Sequence, residues 1–201
     1  MAAAALLAAC GGGSSSNANE PSGSYSVRVV SARFPTLQRL GQTSQLGIDV
    51  RNTGHKTIPA LTVSVSIAGR QGRAAALPFA IRSPQPGLAI PDRPVWVLAE
   101  HFPKLAGTPS SAGAQTANPK TFDFGELKPG ATTEAIWKLS AVRSGRYALL
   151  YRIAAGLNGA VKAQTASGVA PGGSFRVNIS STPANTTVND SGEVVEINAQ
   201  K

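Results

Sequence analysis

Cys10 is the single thiol of a 201-residue chain, and it stands between Leu7-Ala8-Ala9 and the run Gly11-Gly12-Gly13-Ser14-Ser15-Ser16. One cysteine cannot build a disulfide framework within the chain or a cysteine-based zinc ribbon. A second grouping lies at Trp96-Val97-Leu98-Ala99-Glu100-His101-Phe102, where an acid and an imidazole neighbour two large rings. That combination suits a ligand-facing loop, with Trp96 as platform and Glu100 and His101 as the polar pair. The reading favoured here is a loop whose rings pin it to the core, because loops need anchors as often as they carry sites. A metal site there needs three or four ligands. Only Asp92, Asp123 and His55, on distant loops, are left to join, and His55 follows a turn glycine where a lone imidazole is solvated. No Gly-x-Ser-x-Gly elbow and no Asp-x-Asp calcium pattern occurs. The sequence therefore predicts no catalytic residues, no metal and no cofactor. The alternative is a hydrolase that uses the loop around Glu100 and His101.

Leu, a small residue, Ala or Gly, then Cys is the pattern of a bacterial lipobox, and Leu7-Ala8-Ala9-Cys10 resembles it. The resemblance implies that residues 1–9 are a signal peptide, recognised by its peptidase through Leu7, Ala8 and Ala9. Cys10 would then carry a diacylglyceryl group on its sulfur, and its freed amine can be acylated further. Two acyl chains anchor a protein stably, whereas one holds it only marginally. The Gly/Ser run that follows predicts a flexible linker over 10–24. A signal peptide opens with positive charge and carries an apolar core of about 7–15 residues. Here the first Lys or Arg is Arg28, so the reading places the true start upstream of Met1. The implied location is a cell membrane, lipid-anchored and facing the extracytoplasmic side. No later apolar run reaches the roughly 18 residues of a transmembrane helix.

Nineteen Lys and Arg against ten Asp and Glu leave a net charge of +9. Arg28, Arg51, Lys138, Arg152 and Arg176 fall on polar positions of alternating segments. Such a surface suits attraction to anionic envelope polymers or lipid headgroups. It also suits plain solubility, because the charges are spread along the chain. Nucleic acid is not expected as a partner, since no RNA-binding aromatic motif accompanies the charge. Asn178-Ile179-Ser180 and Asn185-Thr186-Thr187 match glycosylation sequons, which carry no meaning behind a bacterial lipobox.

The elements that must position these groups are strands. Leu46, Ile48 and Val50 alternate with Gly47, Asp49 and Arg51, and Leu61, Val63, Val65 and Ile67 alternate with Thr62, Ser64 and Ser66. Ala135, Trp137, Leu139 and Ala141 keep the same period, as do Tyr147, Leu149, Tyr151 and Ile153, and then Phe175, Val177 and Ile179. A period of two means one buried and one wet face. Turns fall at Asn52-Thr53-Gly54, Lys128-Pro129-Gly130 and Ser144-Gly145. Asn158-Gly159 predicts a hairpin pairing Arg152–Ala155 with Val161–Thr165. The Pro- and Gly-bearing stretch 78–121 reads as a long loop insertion. Glu193-Val194-Val195-Glu196-Ile197 reads as a last edge strand.

Gly47-Ile48-Asp49-Val50-Arg51-Asn52-Thr53-Gly54, then Ile58-Pro59-Ala60-Leu61-Thr62-Val63-Ser64-Val65, resembles the opening of a bacterial immunoglobulin-like module of the CARDB kind. Leu127-Lys128-Pro129-Gly130 before the Trp137 strand fits the same style. The resemblance implies that Gly145-Arg146-Tyr147 places a tyrosine-corner residue. It implies an all-β fold, an immunoglobulin-like antiparallel β-sandwich with a long loop insertion, and it is silent on ligand. The expected organisation is a signal peptide over 1–9, a lipidated linker over 10–24, and one sandwich over 25–201. The expected role is a non-catalytic binding or structural module at the cell envelope, touching the membrane through its lipid. Its further partners would be anionic envelope polymers or a neighbouring membrane protein. Arg51, Arg152 and Arg176 are the candidate basic surface.

Overall fold

In a computed structural model, residues 22–68, 79–81, 94–108, 114–115, 120–157, 161–190 and 194–197 are described. They form strands and no helix. The first are β1 (Gly23–Arg33), β2 (Leu37–Leu40), β3 (Thr43–Asn52), β4 (Thr62–Ile67) and β5 (Phe79–Ile81). Then come β6 (Trp96–Leu98), β7 (Lys104–Leu105), β8 (Ala114–Gln115), β9 (Thr121–Asp123) and β10 (Thr132–Ala141). The last are β11 (Gly145–Ala154), β12 (Val161–Gln164), β13 (Gly172–Pro183), β14 (Thr186–Val188) and β15 (Val194–Glu196). One sheet runs β12-β1-β3-β10-β6-β5, with β7 also on β10, and the other runs β2-β13-β11-β4-β9-β8. Most neighbours are antiparallel; β1 with β12, β2 with β13 and β5 with β6 are parallel.

The alternating apolar residues meet between these two sheets. Leu46, Ile48 and Val50 of β3 and Ala135, Trp137, Leu139 and Ala141 of β10 are fully buried, and so are Val63 and Val65 of β4 and Leu149 of β11. Phe122 and Phe124 set their edges against the Trp137 ring at 6.0 and 5.4 Å. Trp96 does the same with Phe34 and Tyr147 at 5.6 and 6.0 Å. Edge-to-face contact is the arrangement aromatic quadrupoles prefer. The fold is an immunoglobulin-like β-sandwich. Tyr147 is its tyrosine corner, donating its hydroxyl to the Ser144 carbonyl at 2.8 Å.

Asn52 shows why the turn after β3 has its sequence. Its side chain is fully buried and donates to the carbonyls of Lys56 and Leu127 at 2.9 and 2.8 Å. Its oxygen accepts from the Gly54 amide at 3.0 Å. One amide thus ties the end of β3 to two turns, and a buried polar group so satisfied carries little penalty.

Two expectations change, and one gains detail. The described parts of the stretch 78–121 pair with the sandwich, β6 and β7 on β10 and β5 on β6. The segment after Asn158-Gly159 does not fold back on β11. Both edges of β11 are occupied, by β13 and β4, so β12 crosses to the other sheet and lies beside β1. The turn itself lies outside the described residues. The tail strand β15 pairs with β14 in a separate ribbon rather than extending a sheet of the sandwich.

The two tryptophans differ in one bond. The Trp96 indole donates to Gln38 Oε1 at 2.8 Å, while Gln38 donates to the Pro35 carbonyl at 2.9 Å, linking β6 of one sheet to β2 of the other. The Trp137 indole N–H is buried without a hydrogen-bond partner. Trp96→Phe therefore strands a buried amide that Trp137→Phe does not. By chemical denaturation Trp96→Phe should be the more destabilising, by about 1–3 kcal/mol. Equal losses would contradict the assigned bond.

Candidate functional site

With the apolar residues turned inward, the charges lie on the two outer faces, and the faces differ. On the β1–β3–β10 face, Arg33 reaches Asp49 at 3.0 Å and Glu134 at 2.5 Å. The hydrogen bond to Asp49 and the charges of both carboxylates hold its guanidinium protonated above the ordinary arginine value. Ser31 closes the cluster, donating to Asp49 and accepting from Arg33. The Glu134 carboxylate lies directly over Gly47, where a Cβ would fall 2.6 Å from its Oε1. Glycine in the middle of β3 leaves room for an ion pair across three strands. Arg28 and Arg51 are register partners on this same face.

The outer face of the other sheet carries Arg39 on β2, Arg146 and Arg152 on β11, and Arg176 on β13, all exposed. Among the described residues none of the four has a carboxylate within ion-pair distance. Asp123, on β9 of the same sheet, is engaged by the Gly125 amide at 2.8 Å. Small and polar residues separate the arginines: Ala148 stands opposite Arg176, Asn178 opposite Arg146, and Ser64 opposite Arg152. A depression of about 560 Å³ at one end of this face is lined by Ser64, Ser66, Leu150, Arg152, Pro171 and Gly172. A second, of about 470 Å³, lies at the other end around Leu37, Arg39, Gln42, Asn178 and Ser180. The rings of the same strands turn the other way. Tyr147, Tyr151 and Phe175 pack toward the core, and Tyr151 stacks on Phe175 at 5.7 Å.

The residues singled out from sequence are dispersed by this architecture. Arg152 and Arg176 share a face, but Arg51 belongs to the opposite sheet. Arg39 and Arg146, which complete the group, were missed. Arg146 had a signal, since it keeps the parity of Arg152 on one strand. Trp96 is fully buried, so its ring belongs to the core and not to a ligand platform. Glu100 and His101 are exposed on a turn, 3.9 Å apart, with His101 at a φ of 63°. His55 lines a separate hollow of about 200 Å³ with Tyr25, Gly54 and Lys56. Among the described residues no three of His, Cys, Asp and Glu gather as metal ligands. No helix there is long and apolar enough to cross a membrane. Asp92 and the Leu7, Ala8, Ala9 and Cys10 motif lie outside the described residues.

No family model and no curated protein matches the sequence. Among solved structures, the chain overlays the CARDB domain of a Pyrococcus furiosus protein with a TM-score of 0.41 at 12% identity, covering 77% of this chain and 86% of that one. It overlays Escherichia coli alpha-2-macroglobulin, from its MG7 domain to the C-terminus, with a TM-score of 0.42 at 18% identity, covering 81% of this chain. A PapD-like domain of human CEP192 gives a TM-score of 0.37 at 14% identity, covering 92% of this chain and 99% of that one. This chain spans 18% of that E. coli fragment and 7% of the native E. coli alpha-2-macroglobulin chain. The fold assignment rests on the chain's own two sheets, and overlays this partial add nothing about function.

Burial pushes the phenols of Tyr147 and Tyr151 up from their ordinary value, with the charge of Arg143 opposing the shift at Tyr147. The fold thus favours the neutral phenol. That contribution is complete below the free-tyrosine pKa of about 10 and is lost as pH rises through the raised values. Stability measured across alkaline pH should fall, and Tyr147→Phe with Tyr151→Phe should flatten the fall. An unchanged slope in the double variant would contradict it.

Proposed function

We propose that this chain is a non-catalytic binding module, held outside a cell membrane by lipid on Cys10 and presenting the outer face of its β2-β13-β11-β4 sheet to a partner. The observation that carries the reading is the unequal treatment of charge. Among the described residues, one face sets two acids against its central arginine, leaving Arg28 and Arg51 on that face without an ion pair, whereas the other leaves all four of its arginines without an acidic neighbour. Uncompensated charge on one face costs self-repulsion in the free protein and is relieved by an anionic partner. The anchor reading is supported by Leu7-Ala8-Ala9-Cys10 and the Gly/Ser run after it. The first strand begins at Gly23, within the last two residues of the expected 10–24 linker. The non-catalytic reading is supported by the inward Trp96 and by the placing of the Glu100–His101 turn after β6 of one sheet and of Asp123 on β9 of the other.

Metabolic labelling with a clickable fatty acid tests the anchor, in cells expressing the chain from an upstream start. The wild-type chain should take up label and sediment with membranes, and Cys10→Ala should lose both. Absence of label from the wild-type chain would overturn the anchor.

A further inference from the structure

The register of the strands gives the arginine face a shape. Arg39 stands beside Ser180 of β13 and Arg146 beside Asn178. Arg176 belongs to β13 itself, and Arg152 stands beside Gly172. Projected on β13, the four charges occupy positions 180, 178, 176 and 172. At about 3.3 Å per residue, the steps are roughly 7, 7 and 13 Å, within a band about 10 Å wide. The vacant step, at Ser174, faces Leu150. The charges therefore run nearly in single file along the strands.

Resting on the binding-face reading above, we propose that this file of arginines binds a linear phosphodiester polymer without bases, laid along β11 and β13. The spacing supports this occupant. Outward side chains on a strand recur every two residues, which is six backbone bonds and about 7 Å. A phosphodiester polymer joined through three-carbon units also has six bonds per charge, so its phosphates fall in step with the outward positions. Guanidinium forks suit phosphate oxygens. Ser66, Ser174 and Asn178 add hydrogen-bonding groups between the charges. The aromatic residues of these strands face the core, so the platform on which single-stranded nucleic acid stacks its bases is lacking. A bilayer favours a broad basic patch, and this one is a narrow stripe.

The test uses the full chain carrying Cys10→Ala, so that no acyl chain contributes. The probes are glycerol-phosphate oligomers of increasing length, inorganic phosphate, oligothymidylate and phosphatidylglycerol vesicles. Affinity should climb with oligomer length to about five phosphates, the span of the stripe at strand rise, and then level. The logarithm of affinity should fall with that of salt with a slope near −3, as for about four contacts on a single strand. Arg146→Gln with Arg176→Gln should weaken binding at least about tenfold and reduce the slope by about 1.4. Arg28→Gln with Arg51→Gln, on the other sheet, should change neither. Vesicle binding without oligomer binding, a preference for oligothymidylate, or equal losses in the two double variants would each overturn the polymer assignment. Retention of isolated envelopes by the chain, lost in the Arg146/Arg176 variant, tells such a failure apart from failure of the binding face itself.

Discussion

One apolar layer between two sheets is the constraint on which the rest of the structure depends. Trp137 and Trp96 are its largest members, each braced edge-on by other rings. Once that layer is filled, every second residue of β3, β4, β10, β11 and β13 is committed to it. Polar chemistry is left only the outer faces and the turns. Trp96, which the sequence places beside Glu100 and His101, is drawn away from them by this demand.

The outer faces then divide the charge. Glycine at 47 lets Glu134 lie flat over β3, and the reach of Arg33 across three strands uses that space. Asp49 and Glu134 are spent there, and Asp123 on β9 of the other sheet is engaged by the Gly125 amide. The opposite face has no comparable supply. Its arginines stand among serine, alanine and asparagine, with a hollow at either end. The binding-face proposal follows from this division, not from any likeness to another protein.

Parity along a strand is a local property and was legible in the sequence. Leu46, Val63, Trp137, Leu149 and Val177 all fall on the buried side that their alternation indicates. The corner at Gly145-Arg146-Tyr147 was equally legible, because its bond spans three residues. Membership of a sheet is not local. Arg51 has the same outward parity as Arg152 and Arg176, yet β3 and β11 lie in different sheets. The pairing of β12 with β1 joins residues more than a hundred positions apart, and no turn signal reports it. β2 was missed because four residues give alternation too little length, although Gln38 holds Trp96 from it.

The most direct test of the face assignment is arginine footprinting on the full chain carrying Cys10→Ala. Modification by phenylglyoxal would be read by mass spectrometry with and without isolated cell envelopes. Protection of Arg39, Arg146, Arg152 and Arg176, with Arg28 and Arg51 still reactive, is the result expected here. Protection confined to Arg28 and Arg51, or spread evenly over both faces, would contradict it.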